Sequence, residues 1–254
     1  MSVTRSIATV RVARVPIEAV DLAAACACID EFIRERTPHY YVAINAAKVV
    51  EAQHDHALRA AIEEAHLRTA DGQAVVWATR LLGRPVPERV AGTDLMEALL
   101  AHAADRGYSV YLLGATHEIV SACVAKAQRR YGGIRIAGYR DGYFRRQEVA
   151  DVVTAVRAVK PDILFLGFAT PAKEHFMHRH YRVLGVPFVM GVGGSFDVFA
   201  GRVARAPRWL QRAGLEWAFR LAQEPRRMWK RYVVGNPRFL WLVVRDLLAR
   251  RFTS

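Results

Sequence analysis

The sequence lacks the features that mark several common classes of protein. Its 254 residues include only three cysteines, an odd number with no CxxC pair, so neither a disulfide framework nor a zinc site is indicated and a reducing cytoplasm fits best. The first residues show neither the apolar core nor the cleavage site of a secretory signal. No uncharged apolar run reaches the roughly 18 residues that a transmembrane helix needs, so any contact with a membrane is expected at its surface.

Motifs for common nucleotide cofactors and metals are also missing. The segment after the first predicted strand, Ala43–Lys48, contains no glycine, which argues against a dinucleotide-dependent oxidoreductase with a GxGxxG turn. A Walker-type GxxxxGK[ST] and a DxD-type metal–nucleotide motif are absent, and the nine histidines are scattered. We therefore predict no metal site and no cofactor.

The periodicity of the remaining sequence predicts an α/β fold. Short apolar strands are predicted at 40–45, 67–70, 109–113, 134–137, 162–166 and 186–190. They alternate with helices predicted at 18–36, 48–66, 73–82, 95–106 (with Thr93 or Asp94 as the N-cap), 116–131, 147–159 and 173–184. Such alternation is typical of βαβ units in a mostly parallel sheet, whose ligands bind beyond the carboxyl ends of the strands. The residues just past each strand are therefore the first candidates for a site.

The composition changes at about residue 201. Residues 202–254 hold thirteen Lys and Arg against three acidic residues, which is ten of the thirteen net positive charges of the chain. Four of the five tryptophans also lie there, and Pro207, Pro225 and Pro237 predict three short helices. Interleaved cations and aromatic rings favour an anionic membrane surface over nucleic acid, for which no motif is present. A basic helical face that packs on the core by its aromatics is the alternative. We predict a catalytic domain over 1–200 and a basic, aromatic appendage over 201–254.

Three strand ends could carry chemistry. Asp71, followed by Gly72, could act as a general base, or it could be an ordinary turn residue. The glycine-rich turn 191–197 lets a backbone approach a phosphate, and Asp197 could accept from a ribose, although glycine turns also serve tight packing. Lys173 could neutralise a donor phosphate, or it could pair with a neighbouring charge at the start of a helix.

Several segments together resemble the WecG/TagA/CpsF family of glycosyltransferases. The matching stretches, in order, are Ala70-Asp-Gly72, Glu88-Arg-Val-Ala-Gly-Thr-Asp-Leu95, Leu112-Leu-Gly114, Asp141-Gly-Tyr-Phe144, Gly191-Val-Gly-Gly-Ser-Phe-Asp197, Arg205-Ala-Pro-Arg-Trp209, Leu215-Glu-Trp-Ala-Phe-Arg-Leu221 and Glu224-Pro-Arg-Arg227. The resemblance covers roughly residues 40–235. The chain departs from the family pattern at Ala43, where a Thr is usual, at Ala169, where a Gly is usual, and at Lys173, where a Gln is usual.

The resemblance implies a fold, an activity and a location. The fold is a Rossmann-like, mostly parallel sheet flanked by helices, here followed by the basic helical C-terminal appendage. The activity is an inverting, metal-independent transfer from a UDP-sugar to an undecaprenyl-diphosphate-linked acceptor in bacterial cell-surface polysaccharide synthesis. The protein is expected to be cytoplasmic and peripheral on the inner face of the cell membrane, with no nucleic-acid partner and with an oligomer possible. A non-catalytic adaptor that binds nucleotide-sugars at the membrane is the alternative function.

The resemblance also assigns roles to residues. It places the catalytic base at Asp71, with Asn45 and Arg89 beside it. The donor residues are expected to be Gly114, Tyr143, Lys173, Gly193 and Asp197. The acceptor diphosphate is expected to meet Arg220, Arg227, Lys230 and Arg231.

Overall fold

A six-stranded parallel sheet lies at the centre of the protein. The computed structural model describes residues 7–229, 233 and 235–251. The strands of the sheet are β3 (His39–Ile44), β4 (Leu67–Ala70), β5 (Ser109–Gly114), β6 (Arg135–Arg140), β7 (Ile163–Gly167) and β8 (Phe188–Gly191), in the order β4-β3-β8-β7-β5-β6. All neighbouring pairs are parallel, as the alternating pattern predicted. Every residue of β3 and β5 is buried, because helices cover both faces of the sheet.

The helices before residue 201 follow the sequence prediction, except that one predicted helix is broken in two, that the helix predicted from residue 18 begins at Leu22 because Glu18 ends a strand, that the helix predicted from residue 95 begins earlier, and that the last helix of this part was not predicted. They are α1 (Leu22–Glu35), α2 (Ala46–Glu51), α3 (His56–Glu63), α4 (Gln73–Leu81), α5 (Gly92–Arg106), α6 (His117–Arg130), α7 (Val149–Val159), α8 (Ala172–Leu184) and α9 (Ser195–Ala200). The single helix predicted over 48–66 is wrong, because the Asp55 side chain accepts a hydrogen bond from the backbone of Leu58 and begins a new helix. The predicted N-cap of α5 is also wrong, since that helix begins at Gly92.

An antiparallel hairpin that the sequence did not predict precedes the sheet. Strands β1 (Thr9–Val12) and β2 (Val15–Glu18) are joined by Ala13 and Arg14. Such two-residue turns usually contain glycine or asparagine, so this one lacks the usual signal. The Glu18 carboxylate holds the hairpin on the sheet, because it accepts hydrogen bonds from the Arg68 backbone N at 2.6 Å and from the Arg68 guanidinium at 2.5 and 3.1 Å.

The C-terminal segment forms α10 (Arg208–Arg212), α11 (Glu216–Gln223), α12 (Pro225–Trp229) and α13 (Gly235–Arg251). The expectation of short helices fails for the last of these, since Pro237 lies in the first turn of a 17-residue helix, where its missing N–H costs nothing. Phe239, Leu242 and Val243 of α13 are buried in the core cluster that also contains residues of α2. No helix of the described residues is long and apolar enough to span a bilayer.

A half-buried histidine, His66, lies at the amino ends of β3 and β4 and predicts how stability depends on pH. Burial, together with the positive charges of His39, Arg68 and Arg182, lowers the pKa of His66 to about 4, against about 6.5 in an unfolded chain. Between these two values the unfolded chain binds a proton that the folded protein does not, so stability falls as the pH drops through this window. The His66 Nδ1 atom accepts from the Tyr40 backbone N at 3.2 Å, and an asparagine oxygen can take its place.

The melting temperature of the His66→Asn variant should therefore fall less than that of the parent when the pH is lowered from about 7 to about 5. Thermal unfolding at both pH values measures this, with the exposed His56→Asn as the control that keeps the parent's pH dependence. An equal drop in all three proteins would exclude His66 as the titrating group.

Candidate active site

A cavity of about 480 Å³ opens at the carboxyl ends of β3, β4 and β8. These strands are neighbours in the sheet although β8 comes last in the chain, so the crossing-over of the topology creates the opening. Helices α11 and α13 of the C-terminal segment supply the opposite wall. The site is therefore built jointly by the sheet and by the basic segment.

Asp71, at the end of β4, lies on the wall of this cavity. Its Oδ1 atom accepts a hydrogen bond from the Gly92 backbone N at 2.9 Å, which is the first N–H of α5. This contact explains the start of that helix, because its N-cap residue, Ala91, has no side chain that could accept the bond. Among the described residues, Oδ2 has no hydrogen-bond partner, so one oxygen fixes the carboxylate and the other remains available to a ligand in the cavity.

Asn45 follows β3 and faces Asp71 from the next strand of the sheet. Its Oδ1 atom accepts from the Lys48 backbone N at 3.1 Å, so it caps α2. A Cβ added to Gly72 would lie 3.3 Å from the Asn45 Cβ, which shows how closely the two strand ends approach. The sequence placed Asn45 and Asp71 in one site, and both line the same cavity.

A buried ion pair lies under the cavity. The Lys48 Nζ atom is 2.8 Å from Glu174 Oε1 and donates to the Ala43 carbonyl at 2.5 Å, and neither side chain is more than 2% exposed. Burial alone would raise the pKa of Glu174, but Lys48 and Lys173 hold that pKa below its usual value. The pair joins α2 to the first turn of α8, and sequence reasoning missed it because partners 126 residues apart leave no local signal.

Lys173 also lines the cavity, and two glycines make room for it. A Cβ added to Gly191 would lie 3.0 Å from Lys173 Cδ, and one added to Gly193 would lie 3.0 Å from Lys173 Nζ. The Nζ atom is 3.7 Å from Glu174 Oε1. Gly191 at the end of β8 and Gly193 in the turn after it thus have a packing reason, which was one of the two interpretations left open by the sequence.

Arg89 connects the cavity to the C-terminal segment. Its Nη1 atom donates to Glu216 Oε2 of α11 at 2.6 Å, and both side chains are 18% exposed. The turn before α11 packs against α4, since a Cβ added to Gly214 would lie 2.6 Å from Gln73 Cγ. Arg220, one turn further along α11, is half-buried and lines the cavity as well. Glu216 was not predicted, although its place in the quoted motif could have suggested it.

Other predicted donor residues lie outside the lining of this cavity, as far as the described residues show. Gly114 ends β5, where a Cβ would lie 2.6 Å from the Gly167 backbone N, so glycine is needed for strand packing. Tyr143 is 80% exposed in the loop after β6. Asp197 lies in the first turn of α9, and Gly193 contributes to the turn before that helix. All four lie at or just after carboxyl ends of strands at the same edge of the sheet. Gly193 and Asp197 follow β8, which borders the cavity, whereas Gly114 and Tyr143 belong to the ends of β5 and β6, two and three strands further along the sheet.

The predicted acceptor residues are only partly covered. Arg227 belongs to α12, whereas Lys230 and Arg231 lie outside the described residues. Among the described residues, no three His, Cys, Asp or Glu side chains are close enough together to hold a metal ion.

The cavity carries a positive charge overall. Its ionisable lining consists of four cations, Lys48, Arg89, Lys173 and Arg220, and two carboxylates, Asp71 and Glu216. Since Glu216 pairs with Arg89, Asp71 is the one carboxylate of the described lining that faces the opening without a cationic hydrogen-bond partner. A base beside several cations suits the transfer of a group that leaves as an anion.

Comparison with known proteins identifies the chemistry. Residues 10–253 match the Glycosyl transferase WecG/TagA/CpsF family. The chain is similar to the N-acetylglucosaminyldiphosphoundecaprenol N-acetyl-beta-D-mannosaminyltransferase of Bacillus spizizenii (strain W23), with 35% identity over 207 residues, 81% of this chain and 79% of the relative. It is similar to the enzyme of the same name from Bacillus subtilis (strain 168), with 35% identity over 176 residues, 69% of this chain and 67% of the relative.

The fold, the charged cavity at the strand ends and these similarities define a glycosyltransferase. The chain belongs to the WecG/TagA/CpsF family, as the motifs of the sequence indicated.

Proposed function

We propose that the protein transfers a sugar from a UDP-sugar to an undecaprenyl-diphosphate-linked acceptor, with inversion and without a metal ion, in the synthesis of a bacterial cell-surface polysaccharide. The observation that carries the proposal is the Asp71 carboxylate on the wall of a cavity that is otherwise rich in cations. The names of the two Bacillus relatives support the acceptor, because they specify a diphosphoundecaprenol that carries N-acetylglucosamine.

In the proposed reaction Asp71 is the general base. A hydroxyl of the acceptor sugar gives its proton to Asp71 Oδ2 while its oxygen attacks the anomeric carbon of the donor. The bond from that carbon to the UDP oxygen breaks on the opposite face, so one displacement inverts the configuration. The β linkage in the names of the relatives supports this stereochemistry, since an α-linked donor then requires inversion.

Cationic side chains stabilise the leaving UDP in this proposal. Lys173 and Arg89 supply positive charge near the diphosphate, which gains negative charge as it leaves. This is the usual role of cationic groups when no metal is used. The nucleotide extends towards the carboxyl ends of β5 and β6, past Gly193 and Asp197, to Gly114 and Tyr143. Gly191 leaves room for the Lys173 side chain, and Glu174 lies 3.7 Å from its Nζ atom, which supports the assignment of Lys173 to the donor.

The C-terminal segment binds the acceptor and the membrane. Arg220 of α11 lines the cavity, and we assign the acceptor diphosphate to it together with Arg227, Lys230 and Arg231. Trp209 and Trp229 are 67% and 45% exposed, which suits rings that lie at the interface of a bilayer. We therefore place the enzyme on the cytoplasmic face of the membrane.

The test is an assay of UDP release by the full-length protein. A panel of UDP-sugars, including UDP-N-acetylmannosamine, is combined with N-acetylglucosamine linked through diphosphate to a short polyprenyl chain, with and without EDTA. UDP release that persists in EDTA and a β-linked product support the proposal. An α-linked product from an α-linked donor would overturn inversion, and the absence of UDP release with every pair would favour a non-catalytic adaptor.

A further inference from the structure

A second cavity, of about 550 Å³, lies on the other side of α13 from the active site. Its walls come from the turn of the N-terminal hairpin, from the segment around α2 and α3, and from α13. We call it the arginine groove and define it by Arg14, Gln53, Arg59, Arg238, Trp241 and Arg245. Spacings of three and four residues along α13 separate its two faces: Asn236, Phe239 and Val243 line the active-site cavity, and Arg238, Trp241 and Arg245 line the groove.

The groove is strongly cationic. Four arginines line it, and its described lining contains no Asp or Glu. Arg59 is fixed, because its guanidinium donates to the carbonyls of Ala52 and Gln53, each at 2.8 Å. The Arg245 guanidinium lies 5.2 Å from the centre of the Trp241 ring, and Arg14 and Arg238 are exposed. Such clusters of arginine are suited to phosphate, which they can bind through paired hydrogen bonds.

The nearest acidic groups do not fill the groove. Asp246 follows Arg245 in the chain, but its Oδ2 atom accepts from the Ala13 backbone N at 2.6 Å and so points to the hairpin turn. Glu51 and Asp55 border a neighbouring depression and are not part of the lining of the groove, although the two share Val50, His54 and Arg238.

The hairpin turn that carries Arg14 is strained and held from outside. Ala13 and Arg14 have φ values of 48° and 71°, which residues with a side chain adopt at a cost. Two hydrogen bonds hold Ala13: its backbone N donates to Asp246 Oδ2 of α13 at 2.6 Å, and its carbonyl accepts from Gln53 Nε2 at 3.0 Å. Three separate parts of the chain therefore cooperate to place Arg14 over the groove, which is an arrangement typical of binding sites.

Apolar side chains on the Trp241 side of α13 are left in solvent. Trp241 lines the groove and is 60% exposed, and Val244 and Leu248, three and seven residues further along the same helix, are 44% and 51% exposed. A soluble phosphate compound would leave this apolar surface exposed to water, whereas a phospholipid bilayer offers both a phosphate for the arginines and an apolar interior for these side chains.

We propose that the arginine groove binds the phosphate of an anionic phospholipid headgroup, with Trp241 and its apolar neighbours entering the interface of the bilayer. The proposal rests on the membrane docking in the proposed function, and it adds a defined lipid site that includes the N-terminal hairpin. The site is separate from the active-site cavity, so catalysis and lipid binding can be measured independently.

The test is flotation of the full-length protein with vesicles of phosphatidylcholine alone or with added phosphatidylglycerol. The double variant Arg14→Gln/Arg245→Gln should bind the anionic vesicles about thirtyfold more weakly, since each cation near such a surface contributes about 1 kcal/mol. The control Arg129→Gln/Arg157→Gln removes the same charge from exposed positions on α6 and α7, beside the edge strand β6, and should bind like the parent. Equal losses in both double variants would overturn the proposal.

Two further arms settle the ligand and the fold. The first arm measures the melting temperature with glycerol phosphate. If glycerol phosphate raises it but the protein does not float with anionic vesicles, the groove binds a soluble phosphate and the lipid proposal is overturned. Arg238→Gln alone should also weaken flotation, which covers the case in which the double variant does not fold. UDP release with a water-soluble short-chain acceptor should be unchanged in these variants. If neither the parent nor any variant releases UDP but flotation still depends on Arg14 and Arg245, the proposed reaction is wrong and the lipid site is still supported.

Discussion

Asp71→Asn is expected to lower the rate of sugar transfer by about 10²- to 10⁴-fold, the usual contribution of a general base. The asparagine keeps an oxygen that can accept from the Gly92 backbone N, so the contact that begins α5 is preserved. What it removes is the negative charge and the proton-accepting oxygen on the wall of the cavity. Loss of activity in a variant that folds normally would therefore point to the chemistry.

The experiment compares UDP release at saturating substrates with binding of UDP by calorimetry. Binding should change little, because the assigned donor contacts are elsewhere. A matched control is Asp21→Asn: the Asp21 side chain also accepts a backbone N–H at the start of a helix, from Ala24 at 2.7 Å, but it lies outside the cavity lining. Full turnover in Asp71→Asn, or an equal loss in both variants, would show that Asp71 is a structural cap and not the base.

The second large effect is expected on stability, from the buried pair under the cavity. Lys48→Met should lower the free energy of unfolding by about 3–5 kcal/mol, because it leaves the Glu174 carboxylate buried without its main partner. The Glu174 Oε2 atom already has no hydrogen-bond partner among the described residues, so only the longer contacts of Oε1 with Lys173 Nζ at 3.7 Å and Thr170 Oγ1 at 3.4 Å remain to offset the buried charge. Chemical denaturation measures the change.

A double variant separates the pair from general damage to the core. In Lys48→Met/Glu174→Gln the carboxylate is no longer charged, so the free energy of unfolding should recover part of the loss seen in Lys48→Met. The lowered pKa of Glu174 predicts that the parent loses the contribution of the pair as the pH falls towards that pKa, and the double variant should not show this loss. A double variant as unstable as Lys48→Met, or a Lys48→Met protein as stable as the parent, would contradict this account.

The sequence predicted those parts of the molecule that depend on local pattern. The apolar strand predicted at 109–113 was found there, because a parallel strand buried on both faces requires a nearly continuous apolar run. The strand predicted at 67–70 was also found, although Arg68 and Thr69 interrupt its apolar pattern. Asn45, Asp71, Arg89, Lys173 and Arg220 could be placed in one cavity because parallel strands end at the same edge and because the family motifs follow one another in order.

The parts that the sequence did not predict depend on distant contacts. The hairpin turn at Ala13 and Arg14 has no turn residue of the usual kind, and it is stabilised by Asp246 from the other end of the chain. Lys48 and Glu174 each resemble an ordinary surface residue of a helix until the fold brings them together. The packing of α13 against α2 likewise depends on which face of a basic helix carries Phe239, Leu242 and Val243.

The hydrogen bond from the first N–H of α5 to Asp71 has a consequence for which acceptor hydroxyl can react. One carboxylate oxygen is held by the backbone, so the other has a fixed position relative to the sheet and cannot swing from one acceptor hydroxyl to another. In the proposed reaction, the hydroxyl that reacts is the one that the bound sugar ring presents at that position. An acceptor epimer inverted at that carbon is therefore expected to bind without reacting and to inhibit the transfer.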